Sequence, residues 1–293
     1  MIHETLRIMV YRHSAFYSPL IATIAAGFLR DEELEATYFA KPKERNLYEM
    51  FRQGEVDIMQ AAVSTSWDPL SRGVRDIPRH FAQINQRDGF FITGRRKDKP
   101  FSWKDLEGAE LLADHAQQPL AMLKYALHRQ GVDWNRVEAV NAGSPEDMDR
   151  AFRNGQGDYV HLQGPAPQQL EEDGIGSVRV CVGDAMPPLA FSTLMAMPSF
   201  LATSKAASFM SAYRRALVWV NDTPASEVAE REFVMFRGIS KHALAASIAR
   251  YQQLGTWRRD PTILRDQYEV SMDAFIHAGI FDHRFPYEDV VWV

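Results

Sequence analysis

The chain contains the stretch Phe51-Arg52-Gln53-Gly54-Glu55-Val56-Asp57-Ile58, and its pattern Phe-Arg-x-Gly-x-x-Asp returns in Phe152-Arg153-Asn154-Gly155-Gln156-Gly157-Asp158-Tyr159. Each copy is predicted to be a helix end, a glycine that terminates the helix, an acidic residue and then a strand. Turns from helix to strand favour Gly and Asp in general, which explains part of the match. The same order in two successive α/β units nevertheless favours two similar lobes over one continuous sheet.

Strand-like and helix-like segments alternate around both copies of this pattern, which is typical of βαβ units. Around the first copy, residues 6–11, 35–39 and 56–62 predict strands, and an apolar stripe from Leu20 to Phe28 predicts a helix. Around the second copy, the predicted strands are 110–113, 137–140 and 158–162, and a helix is predicted over 119–129. Ser144 and the acids after it predict the start of a further helix.

From about Ser204 onward the sequence predicts mostly helices, over 206–220, 240–251 and 261–279. Two extended runs, 88–93 and 190–196, are predicted to be the connections at which the chain crosses between lobes. We therefore expect residues 1–88 and 194–293 to form lobe one and residues 89–193 to form lobe two. The predicted fold class is α/β, with each lobe a mostly parallel sheet flanked by helices and a helical C-terminal part.

Composition excludes several classes of function. Hydrophobic residues make up 46% of the 293 residues, charged residues 24%, and the net charge is −5, as in ordinary globular proteins. No basic stripe marks a nucleic-acid partner, and no run reaches the ~18 apolar residues of a membrane span. Cys181 is the only cysteine, so we expect it to be a small buried hydrophobe. The nine histidines lack metal-site spacing, and no nucleotide or hydrolase motif occurs. Neither a metal nor a cofactor is therefore predicted.

The N-terminal residues lack the basic, apolar and small-residue pattern of a secretory leader. We therefore expect a cytoplasmic protein as the sequence stands, and a periplasmic one if a leader has been removed. We expect a monomer or a weak dimer.

Several motifs occur in order along most of the chain: Ser18-Pro19-Leu20, Ala26-Gly27-Phe28, Gly54-Glu55-Val56-Asp57-Ile58, Trp103-Lys104-Asp105-Leu106-Glu107-Gly108, Gly155-x-x-Asp158 and Tyr251-Gln252-Gln253-Leu254-Gly255-Thr256-Trp257. Together they resemble the nitrate/sulfonate/taurine-type solute-binding proteins and the related pyrimidine-precursor synthases of thiamin biosynthesis. The resemblance implies the two-lobe fold of type II periplasmic binding proteins, a ligand cleft between the lobes and, for a transporter-linked member, an ABC-type permease as partner. The synthases carry a cysteine-rich iron-binding stretch, which a single cysteine cannot supply.

The loops that follow the predicted strands hold the candidate ligand contacts, because ligands of open α/β lobes bind beyond the carboxyl ends of parallel strands. Their hydroxyl, amide and aromatic side chains suit a small polar or anionic organic molecule with an apolar part. Arg87 could supply a charge for a carboxylate or sulfonate. The candidates are His13, Ser14, Phe16, Tyr17, Ser64, Thr65, Ser66, Trp67, Arg87, Asp114, His115, Gln117, Gly143, Ser144, Gln163, Gly164, Ser192 and Thr193.

Some of these residues have a structural interpretation as well. Ser64 to Ser66 could cap a helix, and Ser144 is typical of a cap. Asp114 and His115 could pair with each other instead of facing the cleft. The leading hypothesis is binding without chemistry, as a transport receptor or an intracellular ligand sensor. The alternative is a cofactor-independent lyase, a decarboxylase or dehydratase, that uses His13, His115 and Asp114 as acid–base groups.

Overall fold

A computed structural model describes residues 4–95 and 100–293 of the chain. Within them the strands form two separate five-stranded sheets. The first sheet has the order β2-β1-β3-β10-β4, in which β1, β2 and β3 are parallel and β10 runs antiparallel to both of its neighbours. Its strands are β1 (Glu4–Val10), β2 (Leu34–Ala40), β3 (Ile58–Ala61), β4 (Arg79–Asn85) and β10 (Ser192–Ala196).

The second sheet repeats this plan with the order β7-β6-β8-β5-β9. Here β6, β7 and β8 are parallel, and β5 is the antiparallel strand in the fourth position. The two sheets thus share one arrangement, as the repeated sequence pattern predicts. The strands are β5 (Phe90–Gly94), β6 (Glu110–Leu112), β7 (Glu138–Val140), β8 (Tyr159–Gln163) and β9 (Ser177–Cys181).

Helices cover both sheets, and the last third of the chain is mostly helical. Short 3-10 turns lie at 15–17, 30–32, 63–66, 103–106, 134–136, 182–185 and 233–235. The α-helices in the described residues are α1 (Ser18–Ala25), α2 (Leu47–Arg52), α3 (Trp67–Ser71), α4 (Gln117–Arg129), α5 (Pro145–Arg153), α6 (Ala166–Glu172), α7 (Pro198–Leu201), α8 (Ser204–Asp222), α9 (Ala225–Glu232), α10 (Lys241–Leu254), α11 (Arg265–His277) and α12 (Tyr287–Val290).

The repeated pattern has the same structural role in both sheets. Gly54 and Gly155 follow α2 and α5 with φ of 67° and 96°, a left-handed conformation that glycine adopts at little cost. The Asp57 carboxylate accepts the Arg7 backbone N–H at 2.8 Å, and the Asp158 carboxylate accepts that of Glu110 at 3.1 Å. Each aspartate thereby ties the start of one strand to the first parallel strand of its own sheet.

The extended runs predicted to cross between the lobes are strands for most of their length. Residues 90–94 form β5 in the second sheet and residues 192–196 form β10 in the first, so the chain passes between the sheets at 86–89 and 182–191. This placement supports a first lobe made of residues 1–88 and 194–293 and a second lobe made of residues 89–193. The division into these two lobes remains a proposal. Ser192 and Thr193 already belong to the first sheet.

Two predicted helix caps agree with the structure, and other predictions differ from it in detail. Ser144 caps α5, with the Asp147 N–H donating to its hydroxyl at 3.2 Å, and Ser240 caps α10 in the same way at 2.9 Å. The helix predicted from Pro261 begins only at Arg265. The strands β4 and β9 were not predicted. No helix in the described part is both long and apolar enough to cross a membrane.

Candidate ligand-binding site

The loops at the carboxyl ends of the parallel strands in the two sheets meet at the cleft, and an ion pair joins them there. Arg12 follows β1 and its guanidinium contacts the carboxylate of Asp114, which follows β6. Burial alone would lower the pKa of Arg12 and raise that of Asp114, but their mutual contact outweighs burial and shifts both pKa values the other way. Both groups are therefore charged. The guanidinium carbon also lies 5.7 Å from the centre of the Phe90 ring.

Three hydrogen bonds also connect the residues after β1 to the carboxyl end of β8. The Ser14 hydroxyl donates to the Gly164 carbonyl at 2.6 Å, and the Ala15 N–H donates to the same oxygen at 3.2 Å. The Gln163 amide donates to the Tyr17 hydroxyl at 3.3 Å. The junction of the lobes thus brings together four of the candidate residues, namely Ser14, Tyr17, Gln163 and Gly164.

His13 lies at the rim of the first sheet, where its ring keeps contact with solvent. Its Nδ1 is 2.9 Å from the Tyr38 hydroxyl, and its ring centre is 4.4 Å from that of Phe236. Desolvation by the surrounding protein lowers the pKa of His13, against an opposing hydrogen bond with the Met235 backbone. A neutral imidazole, able to donate and to accept, follows at pH 7.

The segment Ser64 to Trp67 packs mostly into the first lobe. The Ser66 hydroxyl lies 3.0 Å from His80 Nε2, and His80 Nδ1 lies 2.6 Å from the Thr193 hydroxyl, which donates to the Ala61 carbonyl at 3.1 Å. Since that Thr193 proton is committed, His80 donates from Nδ1 and accepts from Ser66 at Nε2. Burial lowers the pKa of His80 to about 3, so it is neutral.

Three predicted contacts therefore belong to the core. Ser66, Trp67 and Thr193 have no exposed surface. The Trp67 indole N–H donates to the Tyr268 hydroxyl at 2.9 Å. These placements correct the expectation that the three side chains face the cleft, because each has its polar atoms satisfied inside lobe one. Ser64 is buried as well, and Thr65 is half-buried with its carbonyl accepting the Tyr48 hydroxyl at 2.6 Å.

Phe16 is also part of the core and not an open wall of the cleft. Its ring is fully buried, 5.2 Å from Phe191 and 5.3 Å from Tyr251 between ring centres. A side-chain carbon placed on Gly89 would lie 2.2 Å from this ring. Phe16 therefore fixes the first chain crossing against lobe one, which corrects its assignment as a ligand contact.

The two residues predicted at the crossings brace these segments. Arg87 donates to the Met186 carbonyl at 3.0 Å, which links the first crossing to the second. Ser192 is buried and accepts a long hydrogen bond of 3.4 Å from the Gln60 amide. Arg87 is thus engaged within the crossings, and the arginine that lies in the cleft is Arg12.

His115 and Gln117 line a separate cavity. It has a volume of about 350 Å³ and lies between the start of α4 and the residues after α11, including Ala278 and Ile280. His115 Nδ1 donates to the Ala113 carbonyl at 2.8 Å, so its Nε2 is the acceptor nitrogen when the ring is neutral. These two residues are thus directed differently from Asp114, although they lie beside it in sequence.

Gly143 and Ser144 have a structural explanation. Ser144 and Asp147 form a reciprocal cap at the start of α5. Gly143 has a φ of 100°, and a side-chain carbon there would lie 2.8 Å from an Asp147 carboxylate oxygen. The local geometry accounts for both residues without a ligand.

Sequence analysis missed three charged or titratable residues near the cleft. These are Arg12, His161 and Glu232, and the last two have no exposed surface. Glu232 accepts the Ser18 hydroxyl at 2.8 Å, and burial raises its pKa well above the usual range. Burial also lowers the pKa of His161 to about 3. His161 has no periodic sequence signal, since its neighbours in β8, Val160 and Leu162, are apolar. Glu232 is one of several acids in α9, so nothing in the sequence marks it as the buried one.

The lyase alternative requires His13, His115 and Asp114 to act on one reacting group. In the structure each has a separate partner, namely Tyr38, the Ala113 carbonyl and Arg12. Cys181 is buried, burial raises the pKa of its thiol, and it donates to the Asp88 carbonyl at 3.4 Å. The expectation of a small buried cysteine is therefore confirmed. Among the described residues no cluster of three His, Cys, Asp or Glu side chains is placed to hold a metal ion.

The family is settled by a sequence comparison. The sequence model described as "NMT1/THI5 like" matches residues 15–227, well over half of the chain. The chain belongs to the NMT1/THI5-like family. The resemblance inferred from the motifs is thereby confirmed.

The chain is also similar to individual proteins. "Putative binding protein YtlA" of Bacillus subtilis (strain 168) is 25% identical over 284 residues, which cover 95% of this chain and 85% of YtlA. The ligand-binding component of an ABC-type import system from Staphylococcus aureus, solved with zinc bound, superimposes with a TM-score of 0.75 at 15% identity, covering 99% and 97% of the two chains. The periplasmic aliphatic sulphonate binding protein SsuA of Escherichia coli gives 0.72 at 12% identity, with the same coverage. These structural similarities confirm the two-lobe fold of periplasmic binding proteins.

Proposed function

We propose that this protein binds a small polar or anionic organic molecule, a sulfonate, carboxylate or heteroaromatic compound, in the cleft between its lobes. It would serve as the solute-binding component of an ABC-type importer or as an intracellular ligand sensor. The observation that carries the proposal is the meeting of polar groups from both sheets: Arg12 with Asp114, Tyr17 with Gln163, and Ser14 with the Gly164 carbonyl. Such convergence at the carboxyl ends of parallel strands is typical of ligand clefts.

The names of the relatives support the same class of function. One similar protein is named a putative binding protein. Two proteins of similar fold are described as the ligand-binding component of an ABC-type import system and as an aliphatic sulphonate binding protein. Arg12 supplies the positive charge that recognition of an anion needs, in a partly buried position where water screens it little. A ligand that contacts both lobes would favour their closed arrangement through its differential contacts.

The proposal is tested by a binding screen with the purified full chain. The screen contains organic sulfonates, carboxylates and heteroaromatic compounds, with neutral sugars as the comparison class, and it measures thermal unfolding and native mass spectra. A ligand present at about 100 times its Kd should stabilise the fold by ~2.7 kcal/mol. Stabilisation by sugars alone would show that the ligand class is wrong, and no stabilisation by any compound would refute binding.

The receptor and sensor versions differ in partner and compartment. A transport receptor is exported and meets a permease, whereas a sensor stays in the cytoplasm. Fractionation of cells that express the full-length gene product separates the two: recovery outside the cytoplasmic membrane supports the importer, and recovery in the cytosol supports the sensor.

A further inference from the structure

The ion pair between Arg12 and Asp114 constrains the chemistry of any ligand that enters between the lobes. Arg12 comes from the first sheet and Asp114 from the second, and only 23% and 4% of their side-chain surfaces are exposed. Both are charged at neutral pH, as shown above. A molecule that separates them must therefore replace the partner of each, because a charge left unpaired in a buried place is strongly unfavourable.

A simple anion would satisfy only half of this requirement. It would pair with Arg12 and leave the Asp114 carboxylate with its single hydrogen bond from the Ala116 N–H, at 2.9 Å. Glu146 acts electrostatically on Arg12, and Asp88, which is about half ionised at pH 7, acts on Asp114. Both oppose the addition of negative charge without a compensating positive one. A simple amine would pair with Asp114 and leave Arg12 unpaired.

A second observation points to hydrogen bonding by the ligand at the same place. His161 lies on β8 with no exposed surface, and neither of its ring nitrogens has a hydrogen-bond partner among the described residues. Its ring stacks on Phe90 with centres 4.3 Å apart, and the Arg12 guanidinium lies over that same Phe90. Asp114, Arg12 and His115 all act electrostatically on His161. A buried imidazole without partners is rare, and it usually marks a site that something else completes.

We propose that the ligand carries both an anionic group, which Arg12 binds, and a protonated amine or equivalent N–H donor, which Asp114 binds, with His161 hydrogen-bonded to the part between them. This inference rests on the proposed function and narrows its ligand to zwitterions and their close analogues. Each lobe contributes one specificity-determining charge, so such a ligand exchanges one interlobe ion pair for two ion pairs and leaves no charge unpaired. It also connects the lobes only when both of its ends are engaged.

The test uses shape-matched compounds and isothermal titration calorimetry on the full chain. One set is 3-(aminomethyl)benzoate, 3-methylbenzoate and 3-methylbenzylamine, and the other is 3-aminopropane-1-sulfonate, propane-1-sulfonate and propylamine. In at least one set the zwitterion should bind ten-fold or more tightly than either match. A leftover buried charge typically weakens an interaction by ~10²-fold or more, so this margin is conservative.

Variants assign the two charges. Arg12→Gln should remove the tighter binding of the zwitterion relative to the amine. Asp114→Asn should remove the tighter binding of the zwitterion relative to the anion. Arg12→Lys keeps the charge and should retain part of the preference, and the double variant R12Q/D114N leaves no unpaired charge if a single variant folds poorly. Arg215→Gln breaks an exposed ion pair with Asp31, outside the cleft, and should leave the preference unchanged.

The outcomes separate this inference from the proposed function. If the anion alone binds as tightly as its zwitterion, or if Arg12→Gln leaves the preference intact, the inference is wrong although binding in the cleft stands. The same holds if neither set binds while the broader screen finds another ligand. If neither set binds and no compound in the broader screen does, both the inference and the proposed function fail.

Discussion

Asp88 gives a sharp test of the energetics of the first crossing, through the change Asp88→Asn. The carboxyl group has no exposed surface; its Oδ1 accepts the Phe90 N–H at 2.8 Å, and Oδ2 has no partner among the described residues. Burial first, and the nearby Asp114 charge in addition, raise the pKa of Asp88 from 3.8 to about 7, although the hydrogen bond from Phe90 opposes this. Asparagine keeps the acceptor oxygen and cannot ionise.

The sign and size of the effect follow from linkage. Because the pKa is higher in the folded chain than in the unfolded one, the folded chain holds a proton that the unfolded chain releases between about pH 4 and pH 7. The free energy of unfolding therefore falls as the pH rises through this window, and the penalty is complete above pH 7. At 1.36 kcal/mol per pKa unit, a difference of about three units gives an upper limit of ~4 kcal/mol.

Urea unfolding of the wild type and of Asp88→Asn at pH 5, 6, 7 and 8 measures this contribution. The variant should gain stability relative to the wild type as the pH rises, approaching ~4 kcal/mol at pH 8. His80 and His161, whose pKa values burial lowers to about 3, destabilise the fold toward acid pH, but both proteins contain them and the difference cancels. Asp76→Asn, at an exposed position, is the matched control. A stability difference that is constant with pH, or largest at pH 5, would refute the reasoning.

Three further predictions concern single side chains. Trp67→Phe should cost ~2–4 kcal/mol of folding stability through lost packing and a lost hydrogen bond. Calorimetry should find the ligand Kd unchanged, and a larger Kd without a loss of stability would show that Trp67 contacts the ligand. Tyr251→Phe should cost ~1–3 kcal/mol in chemical denaturation, because its hydroxyl donates to the Gly89 carbonyl and accepts the Gly164 N–H; an unchanged midpoint would contradict this. His13→Ala should weaken ligand binding by ~1–3 kcal/mol in calorimetry, and an unchanged Kd would place His13 outside the site.

The alternation of strands and helices could be predicted because it is written in local apolar patterns. β4 is not predicted from the sequence, because its segment contains three side chains that are buried yet polar, His80, Gln83 and Asn85. Their partners lie far along the chain, as for the Gln83 amide, which donates to the Gln267 side chain at 2.7 Å. A strand whose polar side chains are satisfied by distant groups looks like a loop when only neighbouring residues are compared.

For the candidate site, too, the sequence predicts the local features and not those that depend on distant residues. The loops were predictable from the rule that ligands bind at the carboxyl ends of strands, and Ser14, Tyr17, Asp114, Gln163 and Gly164 do meet there. Which side chain of a loop faces the cleft depends on partners that only the fold provides. Arg12 could not be predicted as a cleft residue, because its partner Asp114 lies 102 residues away in sequence.

Trp67 illustrates the opposite error. An aromatic residue at the end of a strand is typical of a cleft wall, and nothing near it in sequence suggests otherwise. Its partner Tyr268 lies 201 residues later, in a helix that covers the first lobe. The late helical segment therefore converts a predicted contact into core packing.

The contacts that join the lobes are of two physical kinds, and the difference indicates where movement can occur. Beside the crossings the chain is packed closely: a side-chain carbon on Gly183 would lie 2.4 Å from the Asp88 carbonyl oxygen, and one on Gly89 would lie 2.2 Å from the Phe16 ring. Such packing has no replacement partner and is lost outright when surfaces separate. At the cleft, by contrast, the pair of Arg12 and Asp114 consists of polar groups whose partners water or a ligand can replace. We therefore expect the lobes to open at the cleft while the packed crossings stay together, so that substitutions at the crossings change folding stability and substitutions at the cleft change ligand affinity.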